Sequence, residues 1–377
     1  MSELLIRNGL VYEPVQHRFI RKDIAVSGGT IVTPESCGAA YEIDAAGCLV
    51  TPGLIDFHLH CSTQTSNGAC DADLFCLPNG TTTCVDAGTT GTAGYERFYE
   101  ETVCRARTRI LALVHVAPEG LSDFARPENQ DPARWEIRKM EQLCAEHPEI
   151  AGIKLRLGHG LTGPLGLKEE ELLSAAAELG EHLGKRMVVH VNDPGIDTGA
   201  IAGMLRAGDV FCHMYAGREE NILTAEGNVK EEIRRARSRG VLFDACNGRG
   251  NFLFQVAEPA IRAGFLPDVI SSDNTVYGNY RHPLISLPRI LSKYLMLGMS
   301  LEDVLDCATL VPARWLYREE LATLEAGTCA DIAVWKLKEG DYTFRDVSGE
   351  QRTGHQMLTP QMTIRDGEIV YAQSDFQ

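Results

Sequence analysis

The spacing of apolar and polar residues changes twice along the chain. Residues 1–50 alternate with a period of two in LLIRNGLVY, DIAVSGGTIV and YEIDAAGCLVTPG, and Asn8-Gly9 and Gly28-Gly29 are turn signals inside the first two of these segments. From Leu49 onward, short β-branched runs alternate with longer segments of helical period, such as LKEEELLSAAAELGEHL and NVKEEIRRARSR. Such alternation is typical of repeated strand–helix units around a parallel sheet.

Eight strand–helix units can be counted between Thr51 and Pro312, which is the number that closes a (β/α)8 TIM barrel. A doubly wound sheet needs fewer strands. The predicted strands end near Phe57, Ala87, His115, Arg156, Asn192, Tyr215, Asp244 and Asn274.

Strand-like patterns return after Pro312, in GTCADIAVWKL and QMTIRDGEIVYA, and Asp366-Gly367 is a hairpin turn in the second. Neither terminal set of strands is large enough to bury a core alone. We therefore predict an α/β chain in which residues 1–50 and 313–377 form one small β-sandwich domain. Residues 51–312 form the barrel.

The net charge and the cysteines indicate which partners and which cellular compartment to expect. The chain has 36 Lys and Arg against 52 Asp and Glu, a net charge of −16, and this disfavours nucleic acid and anionic membranes as partners. The 12 cysteines form no Cys-x-x-Cys pair and many lie in apolar runs, so they read as thiols of a reducing compartment. With no apolar stretch of about 18 residues, we expect a cytoplasmic protein, and base rates favour a homo-oligomer.

Histidine, lysine and aspartate recur at the carboxyl ends of five predicted strands, the rim where barrel enzymes build their sites. Two histidines two residues apart are by themselves weak evidence for a metal site. Here the ends of four other strands also carry a residue that can bind metal. The residues are His58 and His60 on the first strand, Lys154 on the fourth, His190 on the fifth, His213 on the sixth and Asp273 on the eighth.

Lys154 stands out because an unpaired ammonium is costly to bury next to metal cations. One interpretation is an ion pair with an acidic neighbour. The other is that the neutral amine captures carbon dioxide as a carbamate, whose two oxygens can bridge two metal ions.

The chain resembles the amidohydrolase superfamily, and more narrowly the dihydroorotase-like deacetylases. The resemblance covers nearly the whole length and is carried by PGLIDFHLH, by GTTTCVDAGTTG from Gly80, by GIKLR from Gly152 and by ADIAVW from Ala330. Three substrate-facing loops depart from the family pattern, namely MYAG after His213, CNGRG around Asn247 and NTVYGN after Asp273.

The resemblance implies two divalent metal ions, with zinc favoured and manganese or iron left open. His58, His60 and Asp273 would hold one ion and His190 and His213 the other. Carbamylated Lys154 and a hydroxide would bridge the two ions. The hydroxide would attack a substrate carbonyl, while Asp273 accepts its proton and passes it to the leaving group.

Further polar residues near strand ends are candidates for binding substrate. Arg156 either presents its guanidinium to a substrate carboxylate or pairs with an acid of the barrel. Asp56 is expected to orient a ligand histidine, and His115 and His282 stay undecided. The other candidates for lining the pocket are His159, Asn192, Tyr215, Asn247 and Asn274.

We therefore predict a metal-dependent hydrolase that cleaves an amide or ester of a small acylated molecule, with a carboxylate-bearing acetyl compound favoured. A cyclic amidase of the dihydroorotase or hydantoinase type is the alternative. A mononuclear deaminase and a metal-free scaffold protein fit less well, because the first needs no lysine on the fourth strand and the second needs no ligands.

Overall fold

The computed structural model describes residues 3–36, 38, 41–279, 285–374 and 376. His282 lies outside the described residues. Among the residues described, no helix has the length and apolarity that crossing a bilayer demands. The cytoplasmic location stays a prediction.

Seven short strands open the chain, in agreement with the period-two pattern. They are β1 (Leu4–Arg7), β2 (Leu10–Glu13), β3 (Arg18–Arg21), β4 (Ile24–Ser27), β5 (Thr30–Val32), β6 (Tyr41–Asp44) and β7 (Leu49–Pro52).

The next seven strands form one parallel sheet in sequential order. They are β8 (Leu54–Leu59), β9 (Thr81–Ala87), β10 (Arg109–His115), β11 (Ile150–Leu157), β12 (Arg186–Val191), β13 (Val210–Cys212) and β14 (Leu242–Asp244). The eighth predicted strand is an extended segment that makes two isolated parallel bridges, Asp244 to Val269 and Leu59 to Asn274. It touches both edge strands of the sheet, so it completes the predicted barrel.

Helices connect and follow the barrel strands. They are α1 (Ala72–Cys76), α2 (Tyr95–Phe98), α3 (Ile137–Glu146), α4 (His159–Thr162), α5 (Glu169–His182), α6 (Thr198–Met204), α7 (Glu231–Ser238), α8 (Phe254–Arg262), α9 (Val276–Asn279), α10 (Leu287–Met296), α11 (Leu301–Asp306) and α12 (Leu310–Trp315).

Alternate residues of the barrel strands pack into two different cores. Val188 and Val210 belong to an inner core that also contains Trp315, whereas Val189 and Phe211 belong to the outer core shared with the helices. This is the period of two expected for a sheet buried on both faces. Lys154 lies between two outer-core residues, Ile153 and Leu155, and therefore faces inward.

The chain ends in β15 (Ile332–Arg345), β16 (Gln351–Arg365) and β17 (Glu368–Ala372). β15 pairs with β7, so both ends of the chain share a six-stranded sheet, and the four strands β5, β4, β1 and β6 form the other sheet. Apolar side chains from both sheets, including Ile6, Val26, Val334 and Ile364, share one core. The predicted barrel with a small β-sandwich is confirmed, whereas domain limits at 50/51 and 312/313 stay predictions.

Candidate metal and active site

The six predicted ligands lie together at the carboxyl end of the barrel. A β-bulge between Asp56 and Leu59 re-aims the end of β8, which carries His58 and leads into His60. His58 and His60 approach Oδ1 of Asp273 with Nε2 at 3.7 and 3.4 Å. These three side chains are one group with the spacing needed to hold a metal ion.

Lys154 lies against this group. Its Nζ is 3.2 Å from Nε2 of His58, and its side chain is only 1% exposed. Gly88 makes this position available, because a Cβ on Gly88 would lie 2.6 Å from Cβ of Lys154. Gly88 also has a φ of +78°, which few other residues adopt. The glycine of the VDAGTTG motif thus makes room for the lysine.

His190 lies on β12 and His213 directly follows β13, and their ring centroids are 4.3 Å apart. Nδ1 of His213 is 2.8 Å from the carbonyl oxygen of Cys246, and this fixes the ring. Nε2 of His213 is buried and has no hydrogen-bond partner among the described residues. An orphaned imidazole nitrogen beside a second histidine is the arrangement that a bound cation would satisfy.

Burial controls the charge of the ligands. Burial, with the nearby charge of Lys154, lowers the pKa of His58 to about 4. Burial and the charge of His213 place the pKa of His190 well below its usual range. Burial would raise the pKa of Asp273, but the hydrogen bond with His60 and the charges of His58 and His213 outweigh it and lower that pKa. These shifts favour neutral His58 and His190 and an ionised Asp273, which are the forms that bind metal. Burial would lower the pKa of His213 as well, but the charge of Cys212 outweighs burial and raises that pKa.

Hydrogen bonds around the ligands orient them. Nδ1 of His60 is 2.9 Å from Oγ1 of Thr89, which donates to Asp86 at 2.7 Å. Oδ2 of Asp273 accepts a hydrogen bond of 2.8 Å from Nδ2 of Asn251. The sequence reasoning missed these three partners, although Asp86 and Thr89 lie in the motif from Gly80.

Asp56 links β8 to the eighth barrel segment. Its Oδ1 accepts a hydrogen bond of 2.9 Å from the backbone N–H of Ser272. It therefore holds the eighth barrel segment, which carries Asp273, against β8. Asp56 also accepts a hydrogen bond from the backbone N–H of His58, so its role in orienting a ligand histidine stays a prediction.

A cavity of about 420 Å³ opens beside the predicted ligands, and five of the six, all but His213, line it. Arg156 and Asn192 line it, as predicted, together with Phe124, Arg249 and Tyr277, which the sequence reasoning missed. Their role in binding substrate stays a prediction.

The other candidates for substrate binding lie elsewhere. His159 is exposed and is not one of the lining residues, although its neighbours Gly158 and Gly160 are. The predictions for Tyr215 and Asn247 are corrected, because both are buried in the packing beside α10. The hydroxyl of Tyr215 donates to the carbonyl oxygen of Phe265 at 3.0 Å.

Asn247 and Asn274 have structural partners. The side chain of Asn247 bonds Lys293 and the hydroxyl of Tyr294. Asn274 is buried beside β8 and its carbonyl oxygen accepts the N–H of His60 at 3.0 Å. Asn274 also lies outside the lining of the cavity, so it acts on the site through the backbone of His60.

Arg156 makes the ion pair that was one of its two predicted roles, while its contact with a substrate carboxylate stays a prediction. Its Nη1 donates to Oε2 of Glu128 at 2.9 Å, and Nε2 of His115 lies 3.3 Å from the other oxygen of Glu128. His115 is thus buried against Glu128 and is not one of the residues that line the cavity. Arg156 also lines the cavity. Glu128 binds only one of its guanidinium nitrogens, which leaves the others for a second partner.

Comparison with known proteins gives a consistent picture. The amidohydrolase family profile matches residues 49–370. A deacetylase of Enterococcus faecalis is 28% identical over 373 residues, covering 97% of this chain and 98% of its own. A deacetylase of Agrobacterium fabrum is 29% identical, covering 93% and 84%.

Solved structures agree with the sequence comparison. The crystal structure of an adenine deaminase matches with a TM-score of 0.90 and 26% identity, covering 99% of this chain and 100% of its own. A dihydroorotase structure matches with a TM-score of 0.89 and 26% identity, covering 99% and 98%. The chain therefore belongs to the amidohydrolase family and is a metal-dependent hydrolase acting on C–N bonds.

Proposed function

We propose that the chain removes an acyl group, with acetyl favoured, from a small carboxylate-bearing amide or ester. The proposal rests on one observation. Four side chains converge on one buried point, namely His58, His60, Lys154 and Asp273, and the unpartnered Nε2 of His213 lies beside them. The deacetylases of Enterococcus faecalis and Agrobacterium fabrum support the acyl subtype.

The donor set fits two divalent ions, with zinc favoured over manganese or iron because imidazole dominates it. His58, His60 and Asp273 would hold one ion, His190 and His213 the other, and Lys154, as its carbamate, would bridge them. When bound, the ions would polarise the substrate carbonyl and generate a hydroxide nucleophile at neutral pH.

The contacts of Asp273 support its proposed role in moving the proton. Asn251 binds its Oδ2, so the carboxylate keeps one orientation while Oδ1 faces His58 and His60. Asp273 would accept the proton of the attacking nucleophile and then deliver it to the leaving nitrogen or oxygen. Gly248 allows this placement, since a Cβ there would lie 2.2 Å from Oδ2 of Asp273.

The charge of the cavity wall supports an anionic substrate. Arg156 and Arg249 line the cavity, while Asp273 is the one carboxylate among the described lining residues. Arg156 keeps guanidinium N–H groups that Glu128 does not bind. These groups would take a substrate carboxylate and orient its acyl bond toward the metal ligands.

Metal content per chain tests the centre. We expect about two ions in the wild type purified with bicarbonate and a clear loss in Lys154→Ala, because a bridging ligand is removed. Lys293→Ala is the matched control, since Lys293 is also buried but bonds Asn247 instead of the histidines. One ion or none in the wild type, unaffected by Lys154→Ala, would refute the bridged pair.

A substrate screen tests the reaction. We expect acetate release from N-acetyl or O-acetyl carboxylates and a large loss of kcat/KM when the carboxylate is replaced by an amide. A ring-opened carbamoyl product would instead support the cyclic amidase, in line with the dihydroorotase likeness. Ammonia release would support a deaminase, in line with the adenine deaminase likeness.

A further inference from the structure

A second group of metal-binding side chains lies beneath the proposed catalytic centre. It consists of His58, Cys212, His213 and Cys246, which we call the thiol cluster. All four are buried, and one donor atom from each lies within 4.8 Å of the others. Neither thiol has a part in the hydrolytic reaction proposed above.

The parallel sheet directs Cys212 into the barrel. Cys212 pairs in register with His190 of β12 and with Asp244 of β14. Residues in register on neighbouring parallel strands point to the same face, so Cys212 shares the inner face with His190. Its position at the end of β13 places the thiol directly below the ligands.

His58 lies between the two groups. Its Nε2 faces Lys154 and Asp273, whereas its Nδ1 is 3.2 Å from Sγ of Cys212. Since the two nitrogens are on opposite edges of the ring, Nδ1 is directed away from the proposed catalytic centre. The thiol cluster therefore adjoins that centre through one imidazole.

Cys246 closes the group from the next strand. His213 and Cys246 both have positive φ, at 66° and 26°, and the carbonyl oxygen of Cys246 bonds Nδ1 of His213. Non-glycine residues rarely adopt this backbone conformation, and it is concentrated at functional sites. Here the two turns bring an imidazole and a thiol to the same point.

We propose that the thiol cluster is a second binding site, overlapping the proposed catalytic centre at His58 and His213, for thiophilic divalent cations, of which Cd²⁺ is the clearest probe. Two thiolates and two imidazoles are a donor set that soft and borderline cations prefer over oxygen-ligand sites. A dication and two thiolates have no net charge between them, which lowers the cost of burying the cation. The buried carboxylate of Asp244 lies next to the cluster, with Oδ2 at 3.7 Å from Sγ of Cys212. Each thiol releases its proton to solvent as the cation binds.

Occupation of this site would inhibit the enzyme. The thiol cluster and the proposed catalytic centre share His58 and His213, so a cation held by the thiols draws both rings away from the catalytic ions. Excess Zn²⁺ would act in the same way as Cd²⁺, at higher concentration, because it is less thiophilic.

The test titrates Cd²⁺ into the metal-loaded full chain and follows the thiolate-to-cadmium absorbance in the ultraviolet. Cadmium NMR then counts the sulfur ligands. We expect one Cd²⁺ per chain with two sulfur ligands, and a loss of affinity of more than about tenfold in Cys212→Ser and in Cys246→Ser. Cys307→Ser is the matched control, because Cys307 is buried and bonds the carbonyl oxygen of Pro267.

Three results would overturn the proposal: no thiolate absorbance in the wild type, a Cd²⁺ affinity in both cluster variants equal to that of the wild type, or a loss of affinity in Cys307→Ser as large as in the cluster variants. If one serine variant fails to fold, the other variant and the number of sulfur ligands in the wild type still decide. Because the readout is binding and not turnover, this result is separate from the test of the proposed reaction.

Discussion

Glu128 offers a quantitative test of how the cavity wall is held. Its carboxylate is 5% exposed and lies between Nη1 of Arg156, at 2.9 Å, and Nε2 of His115, at 3.3 Å. Burial would raise the pKa of Glu128, but the charge of Arg156 and the interaction with His115 lower it from 4.5 to about 2. The ionised form therefore stabilises the folded chain.

A pKa change from 4.5 to about 2 corresponds to roughly 3 kcal/mol of preference for the ionised carboxylate. Because the pKa is lower in the folded chain, this contribution is complete above pH 4.5 and is lost as the pH falls toward 2. Glu128→Gln keeps the shape and removes the charge. We expect it to lower the free energy of unfolding at pH 7 by about 2–3 kcal/mol.

Urea unfolding of wild type and variant at pH 7, 5, 4 and 3 measures this difference. Glu171→Gln is the matched control, because Glu171 pairs with Lys168 at 2.7 Å on the exposed surface and should contribute under about 1 kcal/mol. The difference for Glu128→Gln should shrink below pH 4.5. A difference under about 0.5 kcal/mol at pH 7, or one that does not change with pH, would refute the reasoning.

Three further substitutions test other parts of the site. Asp273→Asn should lower kcat at least ~100-fold with little change in substrate affinity, and an unchanged kcat in metal-loaded enzyme would contradict the proton-transfer role. Gly88→Ala should reduce bound metal, because its Cβ would overlap Lys154; full metal content by elemental analysis would show that the contact relaxes. Tyr215→Phe should leave kcat/KM unchanged and cost about 1 kcal/mol in thermal unfolding, whereas a large loss of kcat/KM would restore Tyr215 to the substrate pocket.

Strand periodicity predicted most of the fold, because each barrel strand alternates between two cores and each terminal strand packs on one face. Two features escaped it. The sequence pattern of the segment around Val269 and Asn274 predicts a strand. In the structure this segment closes the barrel through isolated bridges instead of a continuous ladder of hydrogen bonds. The long hairpin of β15 and β16 extends beyond the sandwich through residues such as Lys338 and Gln356, whose polar character gives no strand signal.

The same reasoning explains which site residues were predictable. The side chain of Lys154 points inward because its neighbours in β11 point outward, so strand parity alone predicts its direction. Parity fails past the strand end: His213 adopts a φ of 66°, and two residues later Tyr215 packs in the outer core. The expectation that residues near a strand end face the site therefore holds for His213 but is wrong for Tyr215.

Partners contributed by loops are less predictable still, because no periodicity relates them to the residues that they hold. Glu128 reaches Arg156 from a loop 28 residues earlier, and Asn251 reaches Asp273 from a loop 22 residues earlier. A parallel barrel collects its metal ligands at strand ends, whereas loops of irregular backbone provide the residues that orient them. In families that share this fold, loop composition can therefore change substrate while the ligands stay, and here the loops around Asn247 and after Asp273 border the cavity.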